Sequence, residues 1–336
     1  MTSKGQINQL AVIGLGGQTQ GELIPAALKL SSKCQITAIC DINYDFVKQS
    51  QKLLAGQESP VEVFQNYEKL FKQVDVGKLK VDGIIACLPH FLYADVTKKA
   101  LVRGIMVFKE KPFAINLAEA KKISALALKE NVQIYTVTKR QFYPSYKKGL
   151  VLLREGAIGS PYLYSARHFI PHGNIYEGWR SNSEAAGGGV LIDMGYHLLE
   201  VILRYFGDVT QANLHWTNTA RPDYSYEVED TAIIHNWHPI GVQGVFQMAA
   251  LSGPKEESIE IRGVKGRLVV TKSDVRLYDI FGKEIEKYEF ETDGAVATAE
   301  ALELFLSNNK SVWTQNISHN MKIMRVLDMA YNGRYS

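Results

Sequence analysis

The sequence predicts an α/β protein of two domains. A doubly wound parallel sheet comes first, and an α/β domain with a large, mostly antiparallel sheet follows it. Three observations predict this. The chain has 336 residues, too long for one ordinary domain of roughly 100 to 200 residues. Up to about residue 140, short apolar runs alternate with longer amphipathic stretches. From Val209 to Thr292 the pattern turns to period-two runs separated by turn signals. The domains are therefore placed at 1–140 and 141–336.

In the first part the apolar runs are Gln9–Ile13, Ile36–Cys40, Val61–Phe64, Gly83–Leu88, Ile105–Phe108 and Gln133–Val137. Each is short, rich in Val and Ile and apolar on both faces, as a strand covered on two sides should be. Tyr44–Ala55, Ala94–Arg103 and Leu117–Glu130 repeat apolar residues every three or four positions and read as helices. Alternation of the two implies right-handed crossovers and a parallel sheet. Beyond Arg140 come a helix at about Ser145–Glu155, a strand at Tyr162–His168, a loop rich in Gly, Pro and His, and a strongly apolar helix at about Val190–Phe206. Ser252-Gly-Pro-Lys and Phe281-Gly-Lys mark turns between antiparallel strands, and helical patterns at Ala295–Leu306 and His319–Tyr331 close the chain. No low-complexity linker separates the halves, so they are expected to dock along a cleft.

Composition excludes several classes of function. Hydrophobic residues make up 46% and charged residues 22%, the balance of a packed globular protein. The net charge of +3 is scattered, with no long basic block, so no nucleic-acid partner is expected. Of the 3 cysteines, Cys40 and Cys87 lie in strand-like runs as small hydrophobes, and Cys34 has no Cys-x-x-Cys partner. No metal site is therefore expected. No apolar run approaches the roughly 18 residues that span a membrane, and Leu10–Ile13 is too short for a signal-peptide core. A cytoplasmic protein without membrane contact is the expectation.

Gly14-Leu15-Gly16-Gly17-Gln18-Thr19 stands where the first strand hands over to the first helix. Glycines there permit unusual φ/ψ and let a phosphate approach the backbone amides. Thr19 occupies the place of the third glycine of G-x-G-x-x-G. Asp41 ends the second strand, where a carboxylate binds the adenosine ribose hydroxyls. It would repel a 2′-phosphate, and Ile42 and Asn43 offer no arginine to hold one, so NAD is favoured over NADP. S-adenosylmethionine, with a similar turn and ribose carboxylate, is the alternative ligand.

Two further constellations carry chemistry. Glu110-Lys111-Pro112 follows the fifth strand at its carboxyl end, the edge where a doubly wound sheet binds ligands. A lysine there can hydrogen-bond a substrate oxygen or move a proton. In Gly187-Gly-Gly-Val-Leu-Ile-Asp193-Met-Gly-Tyr-His197 the glycines open the apolar helix, and the spacing puts Asp193 and His197 on one face. A carboxylate beside an imidazole fixes its tautomer and raises its basicity, as suits a general base; an N-terminal aspartate and a core histidine is the bland alternative. Trp179-Arg180 offers a stacking ring and a guanidinium, or a plain loop anchor. His168 and His172 are four apart, but Pro171 between them argues against a helical zinc face. Lys139, Arg140, Arg167 and Arg180 are cations that could serve a phosphate, a carboxylate or a nucleotide-sugar, or simply make surface contacts.

With these motifs in order along nearly its whole length, the chain resembles the Gfo/Idh/MocA oxidoreductases. The resemblance also rests on Ala86-Cys-Leu-Pro89-His90, Gln141-Phe-Tyr-Pro144 and Glu155-Gly-Ala-Ile-Gly159. It implies an N-terminal Rossmann domain and a C-terminal α/β domain whose sheet mediates dimers or tetramers. It also implies hydride transfer between NAD(P) and a hydroxyl of a sugar or cyclitol. By position it places the catalytic roles on Lys111, Asp193 and His197 as polarising cation, orienting carboxylate and proton-transferring base. Cofactor contacts are expected at Gly14, Gly16, Gly17, Gln18, Thr19, Asp41, Leu88, Pro89, His90, Glu110 and Lys111. Substrate contacts are expected at Lys111, Tyr143, His168, Trp179, Arg180, Asp193 and His197. The chain departs from the family pattern at Thr19, at Tyr93 where histidine is common, at Gln141 where arginine is frequent and at Glu200 where aspartate is frequent. A non-catalytic, NAD-sensing regulator on the same fold is the alternative function, and such a protein need not keep Lys111, Asp193 and His197.

Overall fold

The computed structural model describes residues 7–57, 59–171 and 176–333, and His172 lies outside them. Strands β1 (Asn8–Ile13), β2 (Cys34–Cys40), β3 (Glu62–Phe64), β4 (Gly83–Ala86), β5 (Met106–Glu110) and β6 (Ile134–Val137) form a six-stranded sheet. Its order is β3-β2-β1-β4-β5-β6 and every pairing is parallel. The crossovers carry α1 (Ile24–Lys29), α2 (Tyr44–Leu54), α3 (Tyr67–Asp75), α4 (Tyr93–Leu101) and α5 (Leu117–Glu130). The order reverses direction beside β1, which makes the carboxyl end of β1 the place for a ligand in such a sheet. Leu10, Ala11, Val12, Ile84, Ile85, Val107 and Phe108 are fully buried, as strands covered on both faces require. Asn43 caps α2 by accepting from the amides of Asp45 and Phe46 at 2.9 and 3.3 Å, which gives it a structural task at the end of β2.

The remaining chain builds α6 (Pro144–Arg154), β7 (Pro161–Phe169), α7 (Ser183–Ala186), a π-helical turn at Leu191–Gly195 and α8 (Tyr196–Phe206). Seven strands follow: β8 (Gln211–Thr217), β9 (Thr231–Trp237), β10 (Gln243–Ala249), β11 (Glu256–Gly263), β12 (Gly266–Thr271), β13 (Asp274–Asp279) and β14 (Glu284–Glu289). With β7 they make an eight-stranded sheet, β14-β13-β12-β11-β7-β10-β9-β8. Only β7 and β10 pair in parallel; the other neighbours are antiparallel. The two helices at the end are α9 (Gly294–Leu306) and α10 (Lys310–Asn332). The last begins nine residues before the expected His319, because Asn309 accepts from the Ser311 amide at 2.9 Å and starts the helix there.

The division of the chain is less simple than one cut at 140/141. One compact unit comprises Met1–Lys111, Ala118–Val137 and Asp293–Ser318; the other comprises Pro112–Leu117, Thr138–Thr292 and His319–Ser336. Helix α9 therefore returns to the parallel-sheet unit, where it packs on α1 and β6. Its Phe305 meets Phe108 of β5 with ring centroids 5.3 Å apart. The stretch Ser183–Phe206 is long and apolar enough to cross a membrane by composition, contrary to the expectation that none is. In this protein 78% of its most apolar 18-residue window is buried, and its apolar side chains form the core between α8 and its own unit's sheet.

Phe305 is fully buried against a strand of the first sheet, so Phe305→Ala is expected to destabilise by about 3–5 kcal/mol. Chemical denaturation followed by circular dichroism measures this, and an unchanged midpoint would show that α9 is dispensable to the parallel-sheet unit.

Candidate active site

In the parallel-sheet unit, Gly14 leaves β1 with φ +88°, and a Cβ on it would lie 2.0 Å from the Cys87 carbonyl oxygen. Only glycine fits between the two strand ends. A Cβ on Gly16 or Gly17 would meet nothing within 4 Å, so the outer side of the turn is open to a ligand. The Thr19 hydroxyl donates to the Gly14 carbonyl at 2.7 Å and is fully buried. That bond ties the helix start to the strand end, the task a third glycine performs by close packing. Asp41 accepts from the Leu15 amide through Oδ2 at 2.6 Å and from the Asn43 amide through Oδ1 at 2.7 Å. Gln18 Nε2 is buried with no hydrogen-bond partner among the described residues. An open glycine turn, a fixed carboxylate and an unused amide donor together suit a dinucleotide.

The neighbouring strand ends complete this unit's candidate residues. Leu88 and Pro89 are half-buried after β4, and the Leu88 amide donates to the Tyr93 hydroxyl at 3.3 Å. His90 is buried and stacks on Tyr93 with centroids 6.5 Å apart. Glu110 is buried at the end of β5, where its carboxylate accepts from the Lys111 amide at 3.3 Å; Lys111 itself is half-buried. One residue missed by sequence reasoning is Lys109. It is fully buried, with Nζ 3.8 Å from the centre of the Tyr93 ring. Burial brings its pKa down to about 7, against the pull of Glu119 and Glu110. Its signal was a lysine inside an apolar strand together with an aromatic residue at position 93.

In the second unit the apolar helix opens on a tight turn. A Cβ on Gly188 would meet the Tyr331 hydroxyl at 2.1 Å, and one on Gly189 would meet the Glu229 carbonyl at 2.1 Å. Glu229 accepts from the amides of Gly189 and Leu191 at 2.9 and 3.1 Å and from the Tyr331 hydroxyl at 2.7 Å. The glycines are thus required by close packing around a buried carboxylate. The π-helical turn that follows holds Asp193, and His197 lies in the first turn of α8; both are half-buried among fully buried neighbours. Arg180 Nε is 3.7 Å from Asp193 Oδ2, and its guanidinium lies 4.4 Å from the Trp179 ring centre. The rings of His197 and His168 are 6.2 Å apart and tilted by 50°. The structure therefore joins Trp179, Arg180 and Asp193 into one contact series and His197 with His168 into another.

Two expected substrate contacts lie in the packed interior instead. His168 is 3% exposed and Tyr143 is 3% exposed. Tyr143 stacks on Tyr146 at 6.4 Å. His168 has Nδ1 3.2 Å from the Met194 carbonyl and Nε2 3.6 Å from Glu257. Burial lowers its pKa to about 4. Glu257, which sequence reasoning did not single out, binds Arg140 through two bonds of 2.9 and 2.5 Å and accepts from the Tyr146 hydroxyl at 2.6 Å. Burial would raise this carboxyl, but Arg140 outweighs it and holds the pKa at about 2. Of the four cations considered for an anionic substrate, Arg140 is spent on Glu257, Arg167 pairs with Glu256 at 3.3 Å, Lys139 is buried and Arg180 faces Asp193. At the departures, Gln141 closes onto Thr138 at 2.7 Å, and buried Glu200 pairs with Arg204.

The pKa of Lys109 has a measurable consequence. The unfolded chain keeps this proton up to about the ordinary lysine value of 10.5, so between about pH 7 and that value the unfolded state binds the extra proton. Stability should therefore rise with pH across this window. Thermal melts of the wild type and Lys109→Met from pH 7 to 10 are expected to converge on the alkaline side. Parallel curves would mean that Lys109 folds with an ordinary pKa.

A model of the GFO/IDH/MocA oxidoreductase family with an NAD-binding Rossmann fold matches residues 9–138, and the GFO/IDH/MocA C-terminal domain matches residues 150–269. The trans-1,2-dihydrobenzene-1,2-diol dehydrogenase of Xenopus tropicalis is 28% identical over 158 residues, 47% of this chain and 46% of that protein. The chain thus spans about half the length of that relative. The D-apiose dehydrogenase of Paraburkholderia graminis is 25% identical over 274 residues, 80% of this chain and 68% of the relative. The WlbA dehydrogenase of Bordetella pertussis, solved with NADH and UDP-GlcNAcA, shares the fold at a TM-score of 0.80 and 16% identity, covering 97% of this chain and 96% of that one. The two family models match in chain order and together cover most of the sequence, so this chain belongs to the GFO/IDH/MocA oxidoreductases and carries their NAD-binding Rossmann fold.

Proposed function

We propose that the protein is an NAD-dependent oxidoreductase that moves a hydride between nicotinamide and a hydroxyl or keto carbon of a sugar, sugar derivative or cyclitol. The observation that carries this reading is the polar cluster at the head of an otherwise apolar helix, where Asp193 meets Arg180 and His197 meets His168. Half-buried polar groups in an apolar helix need a task or a partner. His197 takes the hydroxyl proton during oxidation and returns it during reduction; Asp193 orients the imidazole, and Lys111 polarises the reacting oxygen. The bound nicotinamide accepts or gives the hydride. Relatives named for D-apiose and for a dihydrodiol support a CH–OH substrate. Arg180 is already faced by Asp193, which favours a neutral polyol over an anion at that position.

Gly14, Gly16, Gly17, Gln18, Thr19 and Asp41 would hold the dinucleotide. Asp41, set against the turn by two amides, favours NAD by repelling a 2′-phosphate. Self-association through the eight-stranded sheet and a cytoplasmic site of action complete the reading, and sedimentation velocity tests the first.

NAD(H) at 100 times its dissociation constant should stabilise the protein by about 2.7 kcal/mol, with a much smaller effect of NADPH. Asp41→Ala should narrow the difference between the two cofactors. A polyol, aldose and sugar-nucleotide screen read by NADH fluorescence identifies the substrate. With that substrate, Lys111→Ala and His197→Ala are expected to keep NADH binding and to lose roughly 10²- to 10⁴-fold in turnover. Turnover near wild type in both variants overturns the assignment.

A further inference from the structure

His168 sits near the end of β7, a central strand paired with β10 on one side and β11 on the other. Its register partners are Met248 and Glu257. The strand thus fixes the backbone, and the Nδ1 edge of the ring is fixed as well. Nδ1 lies 3.2 Å from the Met194 carbonyl, which can only accept, so Nδ1 carries the proton and donates it. Met194 belongs to the π-helical turn that leads into His197. On the other edge Nε2 faces Glu257 at 3.6 Å. That carboxylate is itself clamped by Arg140 and the Tyr146 hydroxyl.

The charges of Arg140 and Glu257 cancel within this buried set, and the imidazole between it and His197 stays neutral. Its ring centroid lies 6.2 Å from that of His197. Among the described residues, charged groups on the neighbouring elements include Asp193 with Arg180, Glu200 with Arg204 one turn along the helix, and Lys255 on the sheet side.

We infer that His168 is a positioning residue for His197, holding that ring in place from the rigid sheet rather than touching substrate. This rests on the proton-transfer role proposed for His197. The donor to Met194 is the part that matters, because it joins the sheet to the turn that leads into the base.

The test compares His168→Leu, which keeps bulk and loses the donor, with His168→Asn, whose amide can still donate toward Met194. Protein labelled with ¹³C and ¹⁵N histidine contains 8 such residues, and His197→Ala assigns the signal of interest. His168→Leu should move the His197 ring resonances. It should also lower kcat by about tenfold to a hundredfold, with KM and the NADH dissociation constant within about twofold of wild type. His168→Asn should recover most of both effects. Should His168→Leu fail to fold, His168→Gln, whose longer amide misses the Met194 carbonyl, takes its place in the comparison. Unchanged His197 resonances and kcat in the donor-less variant, or an Asn variant as impaired as that one, overturn the inference. If His197→Ala itself retains turnover, the proton-transfer reading fails, while the resonance comparison still decides whether His168 holds the ring.

Discussion

The buried carboxylate of Glu229 is the constraint on which the second unit's site depends. It accepts two backbone amides of the glycine turn and the hydroxyl of Tyr331 in α10, and its own carbonyl accepts from the Val190 amide at 2.9 Å. A carboxylate taken so far out of water is costly unless each oxygen is satisfied. Here the donors are the otherwise unpaired amides at a helix start, so two liabilities cancel. The turn must come close enough for those bonds, and this excludes side chains at Gly188 and Gly189. The helix then leaves the turn in one direction only, and that direction sets where Asp193 and His197 project.

A second buried acid, Glu257, lies on β11 of the sheet. Arg140 and Tyr146 saturate it, and His168 lies between it and the π-helical turn. A two-point mounting follows. Glu229 fixes the start of the helical segment, while the sheet, through His168, fixes the turn before His197. Side chains placed on helices and strands hold geometry better than side chains on loops, and here both supports arise from strands or their immediate entrances.

What was legible in the sequence follows from the range of the interactions. The strands β1 to β6 and their helices were readable because apolar periodicity is local, and Asp41 was readable because the glycine turn and the second strand follow one another. Thr19 read as a defect in a glycine motif, whereas its hydroxyl serves the turn through a bond only five residues long. The glycine run at 187–189 was visible, but its cause was not, since Glu229 lies 40 residues from Gly189. The clamp of Arg140 on Glu257 spans 117 residues, so Arg140 read as one more free cation near the site. The return of α9 to the first sheet was hidden for the same reason: its pattern announces a helix and not the surface that helix covers.

The same distinction explains why the cofactor is easier to name than the substrate. The dinucleotide site is assembled from consecutive strand ends and a turn, so short motifs specify it. The proposed substrate end draws on a loop carrying Trp179 and Arg180 and a helix carrying Asp193 and His197, backed by a strand carrying His168, which meet only after folding. Its arginines, which in the sequence invited an anionic ligand, face carboxylates in the structure. What chooses the substrate in such a site is the charge and hydrogen-bonding capacity left over once the internal pairs have formed, and that remainder exists only in three dimensions.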